Sequence, residues 1–395
     1  MEISVLGLGY IGLPTAVILT MNGHRVYGFD TNPQVVESLN NGHIHIKEGG
    51  LQAHFSEAVK NGRFSAHTHL KEADIYIISV PTPFMENLQE KQADMKYVFS
   101  AAEIVSEKLK KGDLVILEST VPPSSTRLMT DMLASMSKLD RNDFFTAHCP
   151  ERVLPGNILY ELEHNDRIIG AEREESAIKA RQLYESFVTG GSIFLTDDVT
   201  AEMCKLVENS FRDINIAFAN ELSIICNEIG IEVNELISLA NKHPRVNILR
   251  PGVGVGGHCI AVDPWFLVEK FKQHTPLIST ARNINDSKPF WVSDRIEEKI
   301  DFNKDTTIGI LGLAYKPNID DFRESPSIKL ADVLNKKGYK VIACEPYSEE
   351  KHLESIPLYS LDEVLVNADF IVMTLDHKEF LDRIDDIKKA NCMIL

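Results

Sequence analysis

Three groups of residues have the types and spacing that chemistry requires. Gly7-Leu8-Gly9-Tyr10-Ile11-Gly12 lies between an apolar run and a helix-forming run, so backbone N–H groups and a helix N-terminus can meet a pyrophosphate without interference from Cβ atoms. Asp30 closes the next apolar run. A carboxylate there accepts hydrogen bonds from ribose hydroxyls and repels a 2′-phosphate, which points to NAD rather than NADP. The second group is Gly252-Val-Gly254-Val-Gly256-Gly257-His258-Cys259-Ile-Ala-Val-Asp263, which sets a thiol on a close-approach loop with a carboxylate four residues on. Cys259 there can be a nucleophile, although a free cysteine is just as readily a small buried hydrophobe. His258 either tunes that thiol or is only its neighbour. The third group, Lys205, Asn209 and Arg212/Asp213, recurs at helical spacing among Met203, Leu206, Val207 and Phe211. That stripe is either a solvated face or a cation and an amide placed to stabilise an alkoxide.

Elements must hold these groups in place. Ile3–Leu6 reads as a buried strand, the glycine turn follows, then an apolar helix to about Asn22 and a strand over 24–29: one βαβ unit. Apolar runs at Ile75–Val80, Leu114–Leu117 and Arg167–Gly170 extend an open parallel sheet, with the loops Pro81-Thr82-Pro83 and Glu118-Ser119-Thr120 at strand carboxyl ends. Thr200–Gly230 reads as one long spine helix, followed by helical stretches near Val233–Asn241 and Pro289–Ile300. After Asp305 the opening pattern returns, with Thr307–Leu311 before Gly312, Lys340–Ala343 before Glu345, and Phe370–Thr374. The second copy has Gly312-Leu-Ala314-Tyr-Lys-Pro317 in place of the full glycine fingerprint, so the two halves should bind different nucleotides.

The expected fold is therefore α/β: two Rossmann-like, doubly wound parallel-sheet domains joined by a central helical domain with a long spine helix. The boundaries expected are 1–198 for an NAD-binding domain, 199–300 for a helical dimerisation domain, and 301–395 for a second nucleotide-binding domain. The chain stops at Met393-Ile394-Leu395, inside an apparent strand, which suggests a missing short tail.

A chain of 395 residues with net charge −17 and no basic run does not suit a nucleic-acid partner. Its six cysteines are scattered without a CxxC pair, so neither disulfides nor a structural metal is expected, and a reducing cytoplasm fits. Ile3–Met21 is uncharged, but it lacks a basic flank and is broken by glycines and Pro14, so no membrane span is expected.

The ordered segments Gly7–Gly12, Pro81–Pro83, Glu118–Thr120, Cys149–Gly156, Glu202–Asn209, Ala219–Leu222, Gly254–Asp263 and Gly312–Pro326 together resemble the UDP-glucose/GDP-mannose dehydrogenases over the whole chain. Cys149–Gly156 and Gly257–Phe266 look most like the branch that oxidises UDP-N-acetyl-D-mannosamine for bacterial surface polysaccharides. Val262 and Arg152 depart from the UDP-glucose branch.

The resemblance implies a four-electron oxidation of the sugar C6 alcohol to a carboxylate by two NAD in succession. Cys259 would form the thiohemiacetal and thioester. Lys205 and Asn209 would support oxyanions, while Asp263 and Glu151 would manage protons and water. Gly7, Gly9, Tyr10, Ile11, Gly12, Asp30, Thr82, Thr120 and Arg323 would contact NAD. Arg152, Gly256 and Lys316 would contact the UDP-sugar, as would Arg245, reaching from a neighbouring subunit of a homodimer built on the spine helix.

Other readings compete. UDP-N-acetylglucosamine or UDP-glucose is an alternative substrate. A two-electron hydroxyacid dehydrogenase would need neither Cys259 nor the second half, and an NAD sensor would need no Cys259, Lys205 and Asn209 together.

Overall fold

The computed structural model describes residues 1–46, 48–85, 91–153 and 156–395. The chain divides into two compact units, Met1–Val207 and Glu208–Leu395. In chain order the first contains β1 (Glu2–Leu6), α1 (Gly12–Met21), β2 (Arg25–Phe29), α2 (Pro33–Asn40), α3 (Leu51–Lys60), β3 (Phe64–His67), β4 (Ile75–Ile78) and α4 (Lys96–Ser106). It continues with β5 (Leu114–Leu117), α5 (Ser125–Ser137), β6 (Phe145–His148), α6 (Ile158–His164), β7 (Arg167–Gly170), α7 (Glu174–Tyr184) and β8 (Ile193–Thr196).

These strands make one sheet in the order β3-β2-β1-β4-β5-β6-β7-β8. β1 pairs in parallel with both β2 and β4, so the winding reverses there and a crevice opens at the strand carboxyl ends. Alternate residues serve opposite faces. Ile3, Val5, Ile75, Ile77, Leu114 and Ile116 pack into a core with side chains of α1, α3, α6 and α7. Leu6, Tyr76, Ile78, Val115 and Leu117 pack into a second core with those of α4 and α5. Gly12–Thr20 of α1 is buried throughout, which accounts for its lack of charge. Among the described residues no helix is long and apolar enough to cross a membrane.

The sheet is parallel except at one pairing, where β7 runs antiparallel to β6 and carries β8 with it.

The spine helix α8 (Asp198–Ile229) crosses the division between the units. The second unit then contains α9 (Val233–Ala240), α10 (Asp263–Lys270), α11 (Pro276–Lys299), β9 (Thr307–Leu311), α12 (Pro326–Lys336), β10 (Lys340–Cys344), β11 (His352–Leu353) and β12 (Ile356–Pro357). It ends with α13 (Leu361–Asn367), β13 (Phe370–Met373), α14 (Lys378–Leu381), α15 (Ile384–Lys389) and β14 (Cys392–Ile394). Its sheet, β10-β9-β13-β14, is parallel at every pairing and repeats the order β2-β1-β4-β5. Ile308, Ile310, Phe370 and Val372 line one core, and Leu311, Ile371 and Met373 the other.

One helix start is corrected. Pro289 does not open a helix but sits inside α11, which begins at Pro276. A proline N has no hydrogen to donate, so the carbonyl of Asn285 one turn back loses its helical partner. The helix is retained because Val292 and Ile296 beyond Pro289, and Arg282 and Asn285 before it, are all buried.

Candidate active site

The β1–α1 turn is built by three glycines with different reasons. Gly7 has φ +89°, and a Cβ there would lie 2.5 Å from the Ser79 carbonyl oxygen; one on Gly12 would lie 1.8 Å from the Gly7 oxygen. The chain itself forbids both. A Cβ on Gly9 would meet nothing within 4 Å, so the protein leaves open the space that a pyrophosphate would fill. Ile11 caps α1, and Tyr10 packs against the core beneath. Asp30 accepts hydrogen bonds from the N–H groups of Leu8 (3.1 Å) and Asn32 (2.9 Å), which aim its carboxylate along the turn. The donor set and the room beside Gly9 fit a dinucleotide.

Two further loops are stitched together at the neighbouring strand ends. The Thr82 hydroxyl donates to the Thr120 carbonyl at 2.7 Å, and the Ser119 hydroxyl donates to the Val80 carbonyl at 2.7 Å. Thr82 and Thr120 are thus brought together.

Glu202, to which the sequence reading gave no role, anchors the same region. From the second turn of α8 it accepts from the N–H of Ser124 (2.5 Å), and from both the N–H and the hydroxyl of Thr126 (2.7 Å each). Ser124 has a left-handed backbone and no capping side chain, so a carboxylate borrowed from α8 satisfies the donors that open α5. Glu202 lies three residues before Lys205. A glutamate at that spacing in a helix with apolar neighbours was the available signal.

Glu151 and Glu118 belong to a buried cluster. Glu151 pairs with Arg167 at 2.9 Å, both side chains less than a tenth exposed. Glu118 accepts from the Tyr184 hydroxyl (2.8 Å) and the Thr15 hydroxyl (3.4 Å). Burial first, then the charge of Glu151, pushes the Glu118 carboxyl up to about 7. Burial likewise pushes the Cys149 thiol up to about 12, so this cysteine is no nucleophile. Arg152 donates to the Asp166 carbonyl at 3.1 Å. Leu154 and Pro155 of the Cys149–Gly156 segment lie outside the described residues.

In the second unit the Cys259 carbonyl accepts from the N–H groups of Val262 (3.0 Å) and Asp263 (2.8 Å), a tight turn that leads into α10. Asp263 is buried, and Asn209 of α8 donates to its carboxylate at 2.5 Å. Thiol, carboxylate and amide are therefore gathered by one turn and one hydrogen bond. Asn209 here orients Asp263 as well as offering an amide. His258 is exposed and its Nδ1 lies 3.8 Å from Asp321. The Arg323 guanidinium grips that same Asp321 (2.9 and 2.5 Å), while its carbonyl accepts from Gly257 N–H at 3.0 Å. The hydrogen bond to Asp321 first, with the Cys259 sulfur a lesser contributor, holds the Arg323 guanidinium above its ordinary range. A Cβ on Gly256 would lie 2.6 Å from the Glu324 oxygen, so the glycine run permits close packing of loop on loop. Lys205 stands one helical turn before Asn209, half-buried. Lys316 and Arg245 are exposed. Among the described residues no cluster of His, Cys, Asp and Glu could hold a metal ion.

Family models for the UDP-glucose/GDP-mannose dehydrogenases match three successive stretches: the NAD binding domain over residues 1–188, the central domain over 199–287 and the UDP binding domain over 309–394. The chain belongs to the UDP-glucose/GDP-mannose dehydrogenase family. It is 47% identical over 389 residues to an NDP-N-acetyl-D-galactosaminuronic acid dehydrogenase of Ralstonia nicotianae, covering 96% of this chain and 91% of that one. It is equally 47% identical, over 398 residues, to the UDP-N-acetyl-D-mannosamine dehydrogenase of Escherichia coli, covering 96% and 94%. Among solved structures, the UDP-D-ManNAc dehydrogenase of Pyrococcus horikoshii superposes with TM-score 0.92 at 40% identity, covering 100% of this chain and 94% of that one. As a member of this family the chain is an NAD-dependent nucleotide-sugar dehydrogenase.

The stretch matched by the UDP binding domain repeats the parallel strand order of the first sheet. Glu345 stands at the end of β10 where Asp30 stands at the end of β2. It is buried and wholly occupied, accepting from the N–H groups of Leu313 (2.7 Å), Ala314 (3.0 Å) and Tyr347 (3.0 Å). His377 Nε2 lies 3.4 Å from it as well. No helix starts at Gly312; α12 waits until Pro326. A cavity of about 430 Å³ at this strand end is lined in part by Glu345, Glu350, Glu363 and Glu379.

Proposed function

We propose that the chain oxidises the C6 alcohol of a UDP-N-acetylhexosamine, most specifically UDP-N-acetyl-D-mannosamine, to the uronate for surface polysaccharide synthesis. The balance is R–CH2OH + 2 NAD⁺ + H2O → R–COO⁻ + 2 NADH + 3 H⁺. The observation that carries this reading is the turn joining Cys259 to Asp263, with Asn209 fixed on that carboxylate. A simple alcohol dehydrogenase has no use for a thiol at this point. The equal identity to relatives named for N-acetylmannosamine and N-acetylgalactosaminuronic acid substrates supports an N-acetylated sugar.

NAD accepts the hydride in each half of the reaction. Within the chain, Asp263 and Glu151 take and return protons, and Lys205 with Asn209 balances negative charge on the sugar oxygen. The Cys259 sulfur adds to the aldehyde carbon and, after the second hydride leaves, holds the acyl group as a thioester. Water attacks that carbonyl carbon, the C–S bond breaks and the thiol is regenerated. Arg152, Gly256 and Lys316 contact the UDP-sugar, and Arg245 does so from the partner of a homodimer.

The test is stoichiometry over a substrate panel. Two NADH should form per UDP-N-acetyl-D-mannosamine consumed, with UDP-glucose turned over far more slowly. One NADH per substrate with free aldehyde would sink the four-electron reading, and equal kcat/KM for UDP-glucose would sink the N-acetyl assignment.

A further inference from the structure

The Gly252–Asp263 loop is glycine-rich, and a flexible loop is a poor platform for a thiol that must meet an aldehyde within a few tenths of an ångström. Neither Cys259 nor Asp263 accounts for how the loop is held. Behind it, α8 and α11 meet through buried polar side chains. Asp213 and Asn220 lie two turns apart on α8, and Arg282 and Asn285 lie one turn apart on α11; all four are buried.

Their hydrogen bonds form one chain. Arg282 Nη1 donates to Asp213 Oδ1 at 2.5 Å and Nη2 to Asp286 at 2.6 Å. Asn285 Nδ2 donates to the same Asp213 oxygen at 2.8 Å, and Asn220 Nδ2 donates to Asn285 Oδ1 at 2.9 Å. Both ends of this chain stop on the loop. Asn220 Oδ1 accepts from Gly252 N–H at 2.8 Å, and Arg282 Nη1 reaches the carbonyl of Ile260, next to Cys259, at 3.4 Å. Between the ends, Gly254 lies so close to α11 that a Cβ would sit 2.9 Å from the Asn285 oxygen, the carbonyl that Pro289 leaves without a helical donor.

We propose that Asn220, Asn285, Asp213 and Arg282 are positioning residues: a buried relay that grips the Gly252–Asp263 loop at both ends and so fixes the Cys259 thiol. Stability is not a sufficient reason for the relay, because a buried ion pair is commonly no better than apolar packing of the same volume, whereas a defined polar network fixes one geometry. This inference rests on the reading of Cys259 as the nucleophile.

The experiment compares the full-length Asn220→Ala and Arg282→Lys variants with wild type and with Cys259→Ala. Four quantities are measured: kcat with UDP-N-acetyl-D-mannosamine, KM for NAD, melting temperature, and the rate at which iodoacetamide alkylates Cys259, read by peptide mass. The relay predicts a kcat lowered roughly 10- to 100-fold, since a misplacement of about 1 Å costs that much. KM for NAD should stay within about twofold, and Cys259 alkylation should change several-fold. A lowered melting temperature with kcat and alkylation rate unchanged would make the network merely structural and overturn the proposal. So would failure of both variants to fold at all. Should Cys259→Ala itself keep full activity, the nucleophile reading falls, while the alkylation rate of the relay variants still decides whether the loop is gripped from behind.

Discussion

In the proposed mechanism the chemistry turns on Cys259, which differs from Cys149 in ways that can be measured. Cys149 is fully buried with its thiol pushed up, whereas Cys259 is half-buried beside the Arg323 charge. Cys259→Ser should keep UDP-sugar binding near normal and lower turnover by several orders of magnitude, because an oxygen nearly fills the sulfur's space but is a weaker nucleophile. An ester held by that variant would appear as added mass on the intact chain. Cys259→Ala should give neither adduct nor acid, and full activity in folded Cys259→Ala would end the covalent mechanism.

A second residue-scale prediction concerns pH. Burial raises the Glu118 carboxyl from its ordinary value of 4.5 to about 7, so between those values the native state holds a proton that the unfolded chain releases. With more protons bound in the native state, stability is greatest below about 4.5 and falls as pH rises to about 7. Glu118→Gln keeps the acceptor for Tyr184 and removes this titration. Urea denaturation at several pH values should show the variant gaining on wild type from pH 5 to 8, by at most about 3 kcal/mol. A difference that does not change with pH would mean that Arg167 keeps Glu118 ionised throughout.

At the scale of elements, Glu202 ties α8 to the start of α5, and with it the loop that bears Thr120 to the helix that bears Lys205. Glu202→Ala leaves one buried and one half-buried N–H group and a buried hydroxyl without this acceptor, a loss of about 2–4 kcal/mol. Thr120 is read as an NAD contact, so KM for NAD should rise together with the loss of stability. Chemical denaturation and initial-rate kinetics check the two arms separately; an unchanged KM for NAD would confine Glu202 to a structural role.

For the whole molecule, α8 shows what its neighbours leave uncovered. Phe211, Phe218 and Ile225 recur every seven residues and are about half or more exposed (66%, 49% and 47%), a stripe that a second copy would cover. Sedimentation should give a dimer, and Phe211→Asp with Phe218→Asp should shift it to monomer. If Arg245 acts across that interface, activity should fall with dissociation. A wild-type monomer at assay concentration would refute the arrangement.

Local rules made much of this protein legible from its sequence. Gly7–Gly12 and Asp30 announced the first crevice because a turn forbidding Cβ atoms is written in residue type, and Cys259 stood out because a thiol in a glycine run has few local explanations. The repeated pattern after Asp305 likewise foretold the second parallel sheet. Tertiary structure decided what depends on long-range partners. The strands Phe64–His67 and Phe145–His148 mix Ser, Thr and His with their apolar residues, so no apolar run declares them, and the antiparallel pairing of β7 with β6 is visible only in the fold. Pro289 reads as a helix start in sequence and lies within a helix in space, since the buried side chains on both sides of it outweigh one lost hydrogen bond. Glu345 echoes Asp30 in the sequence pattern, and only the fold shows that its carboxylate accepts from Leu313, Ala314 and Tyr347. Arg282 and Asn220 look like ordinary helix residues because the partners that give them meaning lie far away along the chain, and only folding brings a buried charge and its counter-charge together.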